Sequence, residues 1–186
     1  MKKFLYLTKK EWCNAWVNGG EVPISLASKY VSEERDGVLT PDENVIMDTN
    51  APIDFINDRI HPNAGTVFRD CWFVTQSGNY FINRSIEDGL IMSFCNVFSI
   101  DIAHRLGKTA CVEIHNIKKL KKRIDKKIGI RGVMRKCEYT DSAIRDHFIK
   151  GCGDAWQDEY RLFYKSEYEK MISIPKDTAS VVWVQE

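Results

Sequence analysis

The stretch A-W-Q-D-E-Y-R-L-F-Y, residues 155–164, divides by alternation into two unlike faces. As a strand it puts Gln157, Glu159, Arg161 and Phe163 on one side and Trp156, Tyr160, Leu162 and Tyr164 on the other, interrupted only by Asp158. The aromatic side belongs to a core. The other side, with its amide, carboxylate and guanidinium, is either a site or a solvent-facing strand surface carrying an incidental Glu and Arg. Side chains two apart on a strand stand about 7 Å from each other. That spacing lets Glu159 serve a reacting sugar while Gln157 orients a second group.

Outward from this strand, the rest of the chain alternates between apolar runs and punctuation. F-L-Y-L-T opens as a strand, and K-K-E-W-C-N-A-W-V-N-G-G reads as a short helix with Trp12 and Trp16 packed at i, i+4 and a stop at Gly19-Gly20. E-V-P-I-S is a short strand whose Pro23 suggests a sheet edge. Residues 28–63 read as long loop with one helical turn, and residues 66–82 as two strands split by Q-S-G-N. G-L-I-M-S-F-C is a buried strand, V-F-S-I-D-I-A-H-R-L-G a helix ended by Gly107, and T-A-C-V-E-I-H another strand. I-K-K-L-K-K-R-I-D-K-K-I-G is a basic helix with Ile117, Leu120, Ile124 and Ile128 on one face. D-S-A-I-R-D-H-F-I-K is expected to be a second helix before the opening stretch, and T-A-S-V-V-W-V-Q a last strand. Strand-rich ends around a mixed middle, without regular β-α-β alternation, predict an α+β fold built on a small split sheet, mixed or antiparallel, flanked by helices.

A chain of 186 residues, 44% apolar, can bury a sizeable core and reads as one domain, residues 1–186. The N-terminal segment lacks the apolar run of a signal peptide, and no run approaches the roughly 20 apolar residues that span a bilayer. The expectation is a soluble, cytoplasmic protein that does not engage membranes. Six dispersed cysteines, none in a C-x-x-C pair, read as reduced and mostly buried thiols, and no Cys or His spacing fits a metal. Dinucleotide-binding glycine fingerprints, P-loops and G-x-S-x-G are absent, and Glu113-Ile114-His115 misses the carboxylate-lysine pattern of metal nucleases.

The ordered segments F-L-Y-L-T, W-C-N-A-W-V-N-G-G-E-V-P-I-S-L-A-S-K-Y, G-L-I-M-S-F-C-N and W-Q-D-E-Y-R-L-F-Y resemble the motifs of ADP-ribosyltransferase-like proteins. These proteins have a first strand bearing His, Arg or Tyr, then a helix, glycine and short strand, a Ser/Thr strand mid-chain, and an E/Q-x-E strand. F-C-N-V-F-S-I-D-I-A-H-R-L-G-K-T-A-C-V-E-I and D-A-W-Q-D-E-Y-R also resemble bacterial proteins with a W-x-x-E-Y-R ending, often associated with phage-defence loci. The resemblance implies an NAD-dependent transferase, a toxin or phage-defence effector, for which an antitoxin is a possible partner. It implies Glu159 as the carboxylate facing an oxocarbenium-like cation, Gln157 orienting the acceptor, Ser93 supporting the nicotinamide-ribose pocket and Tyr6 lining the nicotinamide site. Lys29 or Arg35 would meet the pyrophosphate, which needs a cation or backbone donors.

The formal charge of +1 hides an asymmetry: residues 118–136 hold ten basic side chains against Asp125, a net +9 that leaves −8 for the rest. Such a run is either a solvated helix face or a nucleic-acid surface, with Lys119, Lys122 and Lys126 the candidate phosphate contacts. Aromatic residues are not interleaved there, which favours backbone contact over base stacking. The acceptor is therefore expected to be RNA or DNA, or else protein. The rival reading is a non-catalytic nucleic-acid-binding or protein-interaction module working through a basic helix at 118–136, and a metal-independent RNase is a weaker third.

Overall fold

The computed structural model describes residues 1–34, 36–52, 73–74, 79–142 and 144–186. In chain order the elements begin with β1 (Lys3–Leu7), a 3-10 turn at Lys10–Trp12, α1 (Cys13–Asn18), β2 (Gly20–Leu26) and a second 3-10 turn at Ala27–Tyr30. Next come β3 (Val45–Pro52), β4 (Phe73–Val74), β5 (Asn79–Ile86), β6 (Leu90–Cys95), α2 (Ile100–Arg105), β7 (Ala110–Ile114) and α3 (Ile117–Ile128). The chain closes with β8 (Val133–Lys136), β9 (Glu138–Thr140), β10 (Ile149–Gly151), a 3-10 turn at Cys152–Gln157, β11 (Glu159–Tyr164), β12 (Lys170–Ile174) and β13 (Ala179–Val184). The fold is α+β and dominated by sheet. No helix among the described residues is long and apolar enough to cross a membrane.

The main sheet is larger than the small one expected, with eight strands among the described residues, and it branches. β8, β11 and β6 lie side by side; beyond β6 one arm continues through β1, β7 and β13, the other through β2 and β12. All these pairings are antiparallel. The branch arises because β1 pairs β6 only at Phe4↔Cys95, whereas β2 pairs it only at Ser25↔Ile91 and Leu26↔Leu90. Among the described residues the middle of β6 has no partner on that side, and a gap opens between the arms. Pro23 is accordingly not on an outer edge: its half of β2 pairs with β12 and borders the gap. β13 ends one arm, and its register slips between Val181 and Trp183.

One face of the sheet is apolar, with Leu5, Leu7, Leu90, Phe94, Val112, Ile114, Leu162 and Tyr164 packed beneath Trp16 of α1 and Ile117, Leu120 and Ile124 of α3. The helices form there because their apolar residues recur at helical spacing, and α3 is closed at both ends. Asn116 Oδ1 accepts from the Lys119 N–H at 3.0 Å, and Gly129 takes the left-handed C-cap (φ 86°). On the opposite face, Tyr6, Cys95 and Cys111 pack under Ile102 and Ala103 of α2.

Several expected elements change. The basic stretch 118–136 is not one helix: Gly129 stops α3, and Arg135 and Lys136 belong to β8. The helix expected at 141–150 is absent among the described residues, and Ile149–Gly151 is a strand. Side-chain bonds to the backbone displace the helix there, with Ile144 N–H donating to Ser142 Oγ and Arg145 Nη1 donating to the carbonyls of Ser142 and Ile144. β3 occupies part of the stretch read as loop, and β12 was not anticipated. Of the strands expected within 66–82, β4 and the start of β5 are described, and residues 53–72 and 75–78 lie outside the described residues.

Candidate active site

β11 begins at Glu159, not at Ala155. Residues 152–157 form the 3-10 turn, and Asp158 adopts the left-handed conformation (φ 42°) that redirects the chain. Aspartate tolerates that region through local hydrogen bonding, and here Asn96 Nδ2 donates to both its carbonyl (2.8 Å) and its carboxylate (2.9 Å). Lys136 Nζ adds an ion pair at 2.9 Å. The break that Asp158 made in the alternation is thus the start of the strand.

Register then defines a polar face. Glu159 lies opposite Cys95, Arg161 opposite Ser93 and Phe163 opposite Ile91, so these six side chains share one side of the sheet. The solvent-facing alternative fails, because Glu159, Arg161 and Gln157 are all buried. Covering them are residues that sequence reasoning had not singled out. Arg161 holds Glu43 through two bonds (Nη1–Oε1 2.8 Å, Nη2–Oε2 3.0 Å), donates from Nε to Glu159 Oε2 at 3.0 Å, and donates to the His147 carbonyl at 3.1 Å. Lys150 Nζ bridges Gln157 Oε1 at 2.8 Å and Glu159 Oε2 at 3.2 Å, with Asp154 Oδ2 at 3.7 Å. Gln157 and Glu159 are therefore brought together by a shared lysine and not by strand alternation. Arg161, held by two glutamates and a carbonyl, is structural.

Electrostatics separates the two glutamates. Burial works to raise the Glu159 carboxyl, but Arg161 and Lys150 outweigh it and lower it to about 2. Burial dominates at Glu43, whose carboxyl is raised despite its pairing to Arg161. Burial also pushes the Cys137 thiol up to about 12, so its S–H is kept and points at Glu159 Oε2, 3.8 Å away. All these contacts converge on Oε2; Oε1 has none among the described residues.

A cavity of about 490 Å³ sits at the gap in the sheet, and Tyr6, Ser93, Gln157, Glu159, Arg161 and Glu43 all line it. The Tyr6 hydroxyl is already engaged, donating to Ser99 O at 3.1 Å and accepting from Ser99 N at 2.8 Å, so its ring is what it offers the cavity. Lys29 does not line the cavity: it pairs at the surface with Glu169 at 2.8 Å. Arg35 lies outside the described residues. Trp12, expected to be helix packing, is 45% exposed and lines the cavity, whereas Trp16 is buried. Lys119, Lys122 and Lys126 are exposed on α3, away from its buried face.

Glu43 had no signal beyond an acid in a P-D-E-N turn, and Lys150 was hidden inside the expected helix. Cys13, Cys95, Cys111 and Cys137 are free and buried and Cys152 is free and exposed; Cys71 is outside the described residues. Comparison with family models, curated proteins and solved structures found no match.

Proposed function

We propose that this chain is an NAD-dependent ADP-ribosyltransferase with an ADP-ribosyltransferase-like fold, acting as a toxin or phage-defence effector on nucleic acid. The observation that carries the reading is a convergence. Tyr6, Ser93, Gln157 and Glu159, drawn from separated segments of sequence, line one cavity, and the three strands concerned, β1, β6 and β11, are neighbours in the branched sheet.

The chemistry follows from the state of Glu159. With its carboxyl lowered to about 2, it is a fixed negative charge and a poor general base at neutral pH. As the C1′–N bond to nicotinamide breaks, the electron pair leaves with neutral nicotinamide and positive charge grows on the ribose. A preorganised carboxylate stabilises that charge. The acceptor's nucleophilic atom then bonds to C1′ and its proton passes to water. Gln157, held at Oε1 by Lys150, keeps its Nε2 free of partners among the described residues and orients the acceptor.

The test is incubation with labelled NAD and cell lysate, followed by separate protease and nuclease digestion. Label lost only to nuclease identifies nucleic acid, and label lost only to protease transfers the proposal to a protein acceptor. Glu159→Gln keeps the shape and removes the charge, so turnover should fall about a hundredfold or more. Wild-type turnover in that variant would end the catalytic assignment.

A further inference from the structure

Two basic side chains line the cavity, and they are in opposite situations. Arg161 is fully engaged by Glu43, Glu159 and a carbonyl. Lys108 has only a neutral partner among the described residues, donating to Thr8 Oγ1 at 2.9 Å. It is half-buried, and burial alone pulls its ammonium below the ordinary range, with no acid opposing that shift. The acids on the same wall, Glu21, Glu43 and Glu159, make no ion pair with it. A desolvated cation facing a cavity without a counter-charge is an anion site awaiting its anion.

Position adds the rest. Glu159 lies in register with Cys95 and Phe4, near the start of β1, whereas Lys108 is tied to Thr8, just past its end. Four residues of strand separate the two by roughly 13 Å of backbone. The exposed indole of Trp12 lines the same cavity, four residues after Thr8.

We propose that Lys108 binds the phosphate of a nucleotide whose sugar reaches toward Glu159, with Trp12 offering a stacking surface for the ring. This assignment rests on reading the cavity as the NAD site, and it replaces Lys29 as the pyrophosphate contact. It does not require that transfer occur.

Calorimetric titration with ADP, adenosine and NAD separates the cases. The wild-type protein should bind ADP and NAD more tightly than adenosine. Lys108→Met should weaken ADP and NAD by roughly tenfold or more while leaving adenosine unchanged, and Lys108→Arg should retain most of the affinity. Because Met fills similar space and removes an unpaired cation, the Met variant should be at least as stable to heat as the wild type, which excludes misfolding as the cause. Undiminished NAD binding by Lys108→Met would overturn the Lys108 assignment and leave the donor site intact. Failure of the wild-type protein to bind any of the three would overturn both readings.

Discussion

Glu159 has two unlike oxygens: Oε2 is anchored by Arg161, Lys150 and Cys137, and Oε1 is left without a described partner in a residue that lines the cavity. That arrangement fixes the charge in place without saturating it. Its linchpin is Arg161, which neutralises two buried carboxylates at once. Arg161→Met would strand Glu43 and leave Glu159 with Lys150 as its remaining cation, so urea unfolding should show a loss of about 3–5 kcal/mol, far above that of a surface substitution. A loss below about 1 kcal/mol would mean that the pairs are solvated and that Glu159 is not held by them. Gln157 is expected to act differently. Gln157→Ala should lower transfer more than NAD hydrolysis, measured as nicotinamide release with and without acceptor; equal losses would remove its role in orienting the acceptor.

At the scale of elements, α3 joins the basic surface to the core. Its buried Ile117, Leu120 and Ile124 face the sheet, and Asp125, the acid within the basic run, is bound to Lys121 (2.6 Å), Tyr164 Oη (2.8 Å) and Gly132 N (3.1 Å). Asp125 thus fastens the helix to the end of β11. A Cβ on Gly132 would sit 2.5 Å from the Tyr164 ring, so that close approach requires glycine. Lys119, Lys122 and Lys126 project from the outer side at i, i+3 and i+7. Replacing all three with Gln should weaken nucleic-acid binding and flatten its salt dependence by roughly 0.7 to 0.9 log units of slope per lost phosphate contact, measured by titration across a salt series. NAD hydrolysis should persist; if binding is unchanged, the lysines are a solvated face. The sequence revealed α1, α2, β6, β7, β11 and β13 because their apolar periodicity is carried by the residues themselves. It concealed β10 and Lys150 because the alternative to helix there is made by Ser142 and Arg145 bonding to backbone, and concealed Glu43 because its partner Arg161 is 118 residues away.

For the molecule as a whole, the polar network sets the acid limit of stability. His147 is buried against Phe163, with ring centroids 3.6 Å apart; neither ring nitrogen has hydrogen-bond geometry to a described partner, although Nε2 is 3.4 Å from Glu87 Oε2. Burial lowers its basicity, Glu87 and Asp146 oppose this, and Arg161 reinforces it. A lowered histidine contributes stability that is full above its unfolded value of about 6.5 and is lost as pH falls through the folded value. Glu159, also lowered, adds stability present above about 4.5 and lost as pH falls toward 2. Glu43, raised, has the opposite sign. Urea midpoints of the wild type should therefore begin to fall below about pH 6.5, and His147→Phe, which keeps the stacking, should remove that first stage; an unchanged profile would place the loss elsewhere. The slipped register of β13 has a different consequence. This strand ends the sheet with Val181, Val182 and Val184 exposed, a flat version of which would template the next molecule's strand into an open-ended fibril. The irregularity between Val181 and Trp183 breaks the repeat that such growth must copy, and so keeps an apolar edge from becoming a seed.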